Sequence, residues 1–218
     1  MGSNTKVRVL ITGGPTRTYL DHVRFISNLS SGDLAYELAR TFKRSSMEVC
    51  LIVGPSANQY EKLGVRYLAR VETTEQMHAQ VLKACKKFKP HFAIFAAAVL
   101  DFRPSVFFKG KVSSGKSNWQ IQLTPTPKII DDVATKFPDI LRIGFKLESG
   151  RMNASTMRKM GKEILQKKQL AALSLNFLQD VRGTSHVAHL FFPGGKYLKA
   201  NSKKQIALYL RDYVRSLE

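Results

Sequence analysis

Acidic residues are scarce in this chain. It carries 16 Asp and Glu against 35 Lys and Arg, a formal net charge of +19 over 218 residues. Its two cysteines, Cys50 and Cys85, rule out a disulfide framework. Cys50 lies in an apolar run and Cys85 in a helical pattern, so both read as buried reduced thiols and a cytoplasmic setting is expected. No apolar run approaches the roughly 18 residues of a membrane span, and the start Met1-Gly-Ser-Asn-Thr5 is no signal peptide, so no membrane partner is expected. Lys6 stands where a myristoylation signal needs Ser or Thr. The five histidines form no ligand set; His186 and His189 read as surface or sheet residues, and no metal site is expected. G-x-G-x-x-G and G-x-S-x-G are both missing, which removes the dinucleotide fingerprint and the usual hydrolase elbow.

The positive charge is dispersed. Lys43, Lys86-Lys87, Lys109, Lys111, Lys167-Lys168 and Lys203-Lys204 are scattered along the chain, with no concentrated basic segment and no RNP-like aromatic motif. Nucleic acid is therefore not the expected partner, and anionic small substrates account for the charge as well.

Strand-like and helix-like runs alternate. Strands are expected at Lys6–Thr12, Glu48–Val53, Val65–Val71, Phe92–Ala97, Trp119–Leu123, Ile140–Lys146, Leu170–Asn176 and Val187–Phe192. Helices are expected at Gly32–Arg44, Thr74–Phe88, Lys128–Phe137, Ala154–Lys168 and Lys203–Leu217. Thr73-Thr-Glu-Gln76 has the form of a capping box. Continuous apolar strands such as Phe92–Ala97 suggest a sheet covered on both faces. The expected class is α/β, a Rossmann-like doubly wound and mostly parallel sheet in one domain over 1–218. Trp119-Gln-Ile-Gln-Leu123 alternates instead, which suggests a strand flap at about 105–124, paired with Val106-Phe-Phe108.

Two segments invite a phosphate. Gly110-Lys-Val-Ser-Ser-Gly-Lys-Ser117 matches the P-loop pattern at every position, but a strand pattern follows it where a helix is required, and the acidic strand end lies upstream. The second is Ile11-Thr-Gly-Gly-Pro-Thr-Arg17, running into Asp21-His-Val-Arg-Phe-Ile-Ser-Asn-Leu-Ser-Ser-Gly32. Here a strand enters a glycine turn, and a long polar loop ends at a helix start, where free N–H groups attract anions.

Three further blocks join that loop: Phe95-Ala-Ala-Ala-Val-Leu-Asp-Phe-Arg-Pro104; Lys109-Gly-Lys-Val-Ser-Ser114 with Thr126-Pro-Lys-Ile-Ile130; and Ile143-Gly-Phe-Lys-Leu-Glu148. In this order they resemble phosphopantothenoylcysteine synthetase, the phosphopantothenate–cysteine ligase of coenzyme A biosynthesis, from about Val7 to Asn176. The resemblance implies a ligase that joins 4′-phosphopantothenate to L-cysteine through an acyl-nucleotidylate. It implies a nucleoside triphosphate, CTP favoured and ATP possible, with Mg²⁺, and a homodimer. A flavin is not expected, since no decarboxylase-like domain precedes Met1 and the form is monofunctional.

By the same resemblance, Asn28, Lys111 and Arg24 are the catalytic candidates. Lys111 would hold the triphosphate, Asn28 the acyl-nucleotidylate, and Arg24 would serve the second half-reaction or hold substrate. Nucleotide contacts are expected from Gly13, Ala97, Ala98, Asp101, Lys111, Thr126, Pro127, Lys128, Ile129 and Phe145, with Lys159 and Lys168 as candidates on a later helix. His22, Asp33, Ser113 and Lys128 depart from the family pattern. Two other readings stand beside this one: a non-catalytic nucleic acid or nucleotide binder on the same fold, and a P-loop NTPase working through Lys116.

Overall fold

The computed structural model describes residues 6–115, 117–150, 152–182 and 185–217. Lys116, on which the P-loop reading depends, lies outside them.

In chain order the elements are β1 (Arg8–Gly13), the hairpin strands β2 (Arg17–Tyr19) and β3 (Phe25–Ser27), α1 (Asp33–Arg44), β4 (Glu48–Val53), β5 (Tyr67–Arg70), α2 (Thr74–Phe88) and β6 (Phe92–Phe95). A second small hairpin follows, β7 (Phe102–Pro104) with β8 (Leu123–Pro125), then α3 (Ile129–Lys136), β9 (Leu141–Glu148), α4 (Ala154–Lys167), β10 (Ala172–Arg182), β11 (Ser185–Phe191), β12 (Tyr197–Ala200) and α5 (Lys203–Arg215). Eight strands form one sheet in the order β12-β11-β10-β9-β6-β1-β4-β5. From β10 to β5 every pairing is parallel; β11 runs antiparallel to both its neighbours.

The near-continuous apolar strands predict cover on both faces, and the core is built that way. Val9, Ile11, Val49 and Leu51 face α1 and α5. The alternate residues Leu10, Cys50, Ile52 and Ala93 face α2 and α3. Leu173, Leu175 and Phe191 pack against α4. The doubly wound, Rossmann-like α/β class expected from the sequence is the one observed. The capping box is also present: the Thr73 side chain accepts from the Gln76 N–H, and the Gln76 side chain accepts from the Thr73 N–H. Cys50 and Cys85 are buried free thiols, and burial pushes them up to about 12 and about 11.

Three expectations change. Trp119–Leu123 is not a strand, and Val106–Phe108 does not pair with it. The flap is rooted instead on Phe102–Pro104 against Leu123–Pro125, extended by Ser105 N–H to the Gln122 carbonyl. The alternation that suggested a strand is real in burial, with Trp119 and Ile121 half-buried and Gln120 and Gln122 exposed. It reflects side-chain packing, Trp119 edge-on to Phe108 and beneath the Arg24 guanidinium, without a ladder. The polar loop after Gly14 contains the β2–β3 hairpin. Strand β12, short and half-buried, had no signal long enough to read.

Candidate active site

In the sheet order, β1 is the place where the chain reverses its direction of growth: β4 and β5 lie to one side, β6, β9 and β10 to the other. Ligands of open α/β sheets bind at such a switch point, beyond the carboxyl ends of the strands. Here that rule puts the crevice at the ends of β1 and β6, where the chain just beyond the two strands is bridged, Pro15 to Ala98. The Ala98 N–H donates to the Gly14 carbonyl at 2.9 Å, and Gly13 closes against α1 so tightly that a Cβ there would collide with that of Ala35.

The opening loop is pinned to this crevice by small polar side chains. Buried Thr16 meets the Thr74 hydroxyl at 2.9 Å and accepts from the Leu100 N–H at 3.0 Å. Asn28, at the foot of the β2–β3 hairpin, donates through Nδ2 to the Ala98 and Val99 carbonyls at 3.3 and 3.1 Å. The loop then turns into α1 through Gly32, at φ 80°, where any Cβ would strike the Tyr60 hydroxyl. Gly32, at the N-cap of α1, has no side chain to cap the helix, and the Asp33 N–H donates to the Ser31 hydroxyl at 3.4 Å.

The third block reaches the same place from the other side. Thr126, buried, donates its hydroxyl to the Leu100 carbonyl at 2.5 Å, and its N–H donates to the Asp101 carbonyl at 2.9 Å. Lys128 pairs with Asp101 at 2.5 Å, both groups more than half exposed. A pair this exposed contributes about 0–1 kcal/mol, so an incoming phosphate can take Lys128 from it at little cost. Ile129 is core beneath the site, and Pro127 is exposed. Phe145, on β9, packs against the core on the α1 side of the sheet, as does Ala96.

Arg24 and Lys111 lie elsewhere along the hairpin. Asp21, fully buried at its turn, accepts from the N–H groups of Val23 and Arg24, both at 2.8 Å, from the Val112 N–H at 3.1 Å, and from the Arg24 guanidinium. The guanidinium also donates to the Val112 carbonyl, and the His22 N–H to the Gly110 carbonyl. Burial alone would raise the Asp21 pKa; the Val23, Val112 and Arg24 donors outweigh it and hold the carboxyl down to about 2. The backbone on both sides of Lys111 is thus tied to the hairpin turn. Arg24 and Asn28 stand at either end of the three-residue strand β3, about 13 Å apart along the extended chain.

Lys159 and Lys168 are not brought to the crevice together. Lys159 sits exposed in the second turn of α4, while Lys168 ends that helix and pairs with Asp131 at 2.7 Å. The sequence marks Leu175-Asn176 as a strand end, but not the buried polar row that Asn176 joins in the first half of β10. The Ser174 hydroxyl donates to Asn176 Oδ1, and the Asn176 amide meets His186 Nε2 at 3.0 Å. His186, expected at the surface or in a sheet, is a buried sheet residue whose pKa is lowered by burial and by Lys203. Its signal was the short run of polar residues inside an otherwise apolar strand. Among the described residues there is no cluster of three or more acid, thiol or imidazole side chains able to hold a metal ion.

The fold and this crevice define a Rossmann-like α/β protein whose candidate site lies at the switch point, built from backbone, small polar side chains and lysine. The family model for the DNA/pantothenate metabolism flavoprotein C-terminal domain matches residues 4–217, and the chain belongs to that family. It is 38% identical over 149 residues to the coenzyme A biosynthesis bifunctional protein CoaBC of Thermococcus kodakarensis, covering 66% of this chain and 34% of that protein. It superposes on the DNA/pantothenate metabolism flavoprotein of Streptococcus pneumoniae with a TM-score of 0.82 at 23% identity, over 97% of this chain and 100% of the other. A Cab2 mutant in complex with phosphopantothenate-cysteine gives a TM-score of 0.66 at 20% identity, over 96% of this chain and 88% of the other. The chain spans about a third to a half of the length of the curated relatives it matches. No helix of the described residues is long and apolar enough to cross a membrane.

Proposed function

We propose that this chain is a phosphopantothenate–cysteine ligase, which joins 4′-phosphopantothenate to L-cysteine with a nucleoside triphosphate, CTP in preference to ATP. A carboxylate is a poor electrophile. In the first step its oxygen attacks the α-phosphorus and pyrophosphate leaves; in the second the cysteine amine attacks the acyl carbon, the nucleoside monophosphate leaves and the amine proton is lost. Family membership and the coenzyme A role of the CoaBC relatives support the reaction class. The observation that carries the reading is the Asn28 amide on the Ala98 and Val99 carbonyls, which joins two blocks 70 residues apart in one crevice.

In this reading Asn28 holds the acyl-nucleotidylate while the amine approaches. Lys111 offsets charge as pyrophosphate leaves, and preorganised charge of this kind is usually the largest single contribution to such a step. Arg24 serves the second half-reaction. Gly13, Ala97 and Ala98 let the nucleotide approach the backbone; Asp101, Thr126, Pro127, Lys128, Ile129 and Phe145 shape its site, with Lys159 on the helix beyond. Lys168, at the far end of that helix and paired with Asp131, is not carried into the nucleotide site. Mg²⁺ would arrive on the triphosphate oxygens, its habitual way of binding, since no protein cage is present among the described residues. A homodimer is supported by apolar side chains exposed along the two hairpins, among them Val23, Phe25, Phe102, Phe107 and Leu123.

Pyrophosphate release from the purified chain with Mg²⁺, 4′-phosphopantothenate and cysteine, run separately with CTP and ATP, tests the proposal. Release that requires phosphopantothenate is expected; no release with either nucleotide removes it. Asn28→Asp places a carboxylate against two carbonyl oxygens. It is expected to let the acyl-nucleotidylate accumulate while amide formation fails, which mass spectrometry of the quenched reaction would detect. Turnover at the wild-type rate removes the Asn28 role.

A further inference from the structure

The lysines that are scattered in sequence are gathered in space. The parallel strands β1, β5, β6 and β9 lead into α1, α2, α3 and α4, which run back along the sheet, so these four helices end at the edge opposite the crevice. Helix α5 lies parallel to α1: Lys203 at its start pairs with Asp33 at the start of α1, and Arg215 near its end donates to the Ser45 carbonyl just past the end of α1. Five helix C-termini therefore meet on one face. They bring Lys43 and Arg44, Lys86 and Lys87, Lys167 and Arg215, all exposed. One cation per helix end answers the helix dipole; with Lys136 and Lys168 counted, this face carries eight cations for five helix ends. Those two are matched by Asp132 and Asp131, and the other six find no carboxylate among the described residues.

Beside the ends of α2 and α3 lies an open groove of about 650 Å³, walled by Pro90, Phe137, Pro138 and Leu141 and edged by three cations, Arg8, Lys89 and Lys136, and one carboxylate, Asp139. It is concave, so a flat bilayer could not follow it, whereas a flexible strand could place a phosphate or a base inside. Few large apolar side chains are exposed there, Leu141 and Leu217 being the clearest, and this too favours a partner held by charge over one held by insertion.

We propose that this pole of the molecule is a docking face for the phosphate backbone of single-stranded nucleic acid, separate from the crevice at the other end of the sheet. Binding is electrostatic and indifferent to sequence, because lysine point charges on unrelated helices contact phosphates without reading bases.

The test is the affinity of the whole chain for a short labelled single-stranded RNA of mixed sequence, measured between about 50 and 200 mM salt. Four phosphate contacts predict a slope of log affinity on log salt of about −3. The variant Lys43→Gln/Arg44→Gln/Lys86→Gln/Lys87→Gln is expected to bind more than about tenfold more weakly near 0.1 M salt, with a flatter slope. A control with the same loss of charge, Lys62→Gln/Lys196→Gln/Lys199→Gln/Lys204→Gln, is expected to keep most of the affinity. Equal losses in both variants would mean that net charge alone binds, and would overturn the proposal; so would no binding by the wild type at the lowest salt. Tighter, equally face-dependent binding to phosphatidylglycerol/phosphatidylcholine vesicles would overturn it in favour of a bilayer. Pyrophosphate release by the four-site face variant is expected at the wild-type rate, so the ligase reading and this one stand or fall separately.

Discussion

Asp21 is buried, and it joins two segments that sequence keeps 91 residues apart, its own turn and Val112. A carboxylate accepts several hydrogen bonds at once, and no neutral side chain of its size can satisfy the Val23, Arg24 and Val112 N–H groups and a guanidinium together. Its folded pKa, about 2, lies below the ordinary value of about 4, so the charged form is favoured by folding. Its contribution is complete above the ordinary pKa and fades as the pH falls from about 4 to 2. Asp33, held down to about 2 chiefly by Lys203, acts in the same window. Asp21→Asn is expected to lower the urea midpoint at neutral pH and to flatten its decline below pH 4, and parallel curves for the two proteins would refute this. That role was only partly legible: Asp21 stands out in the motif, but its partner Val112 has nothing in its residue type to announce it.

At the scale of elements, small residues decide how closely helices approach the sheet. Gly161, in the middle of α4, sits on the Phe191 ring of β11, where a Cβ would lie 2.5 Å from the ring carbons. Alanine there gains about 1 kcal/mol of helix propensity and incurs an overpacking penalty of about 1–3 kcal/mol. The penalty prevails because a strand holds the ring in place, so Gly161→Ala is expected to destabilise by up to about 2 kcal/mol in urea melts. Thr73→Ala removes one half of the capping box of α2 and is expected to cost about 1 kcal/mol in the same assay. The box was visible as Thr73…Gln76 because capping is a local matter of four residues. The root of the flap was not, because Phe102–Pro104 and Leu123–Pro125 find each other across a loop whose own alternation points to Trp119–Leu123.

For the molecule as a whole, a charge of +19 is carried by a chain whose acidic residues are mostly committed to neighbours, as in Asp21–Arg24, Asp33–Lys203 and Asp101–Lys128. What remains is repulsion among exposed lysines, which salt screens over about 8 Å at physiological strength. The melting temperature is therefore expected to rise as sodium chloride is raised from about 10 to 150 mM; a fall would mean that the ion pairs outweigh the repulsion.

The sequence by itself determined the class of the fold, since apolar period and strand–helix alternation are properties of short windows. It also determined the blocks that carry the family resemblance, since each is a contiguous run of residues. Only the tertiary structure decided which blocks meet. Asn28 reaches Ala98 and Val99, Thr126 reaches Leu100, and Asp21 reaches Val112, each through a hydrogen bond to a backbone group that any residue type would supply. It likewise decided that dispersed lysines become one face. The direction of a helix relative to its sheet follows from how the strands pair, and pairing is a long-range property that no window of the sequence contains.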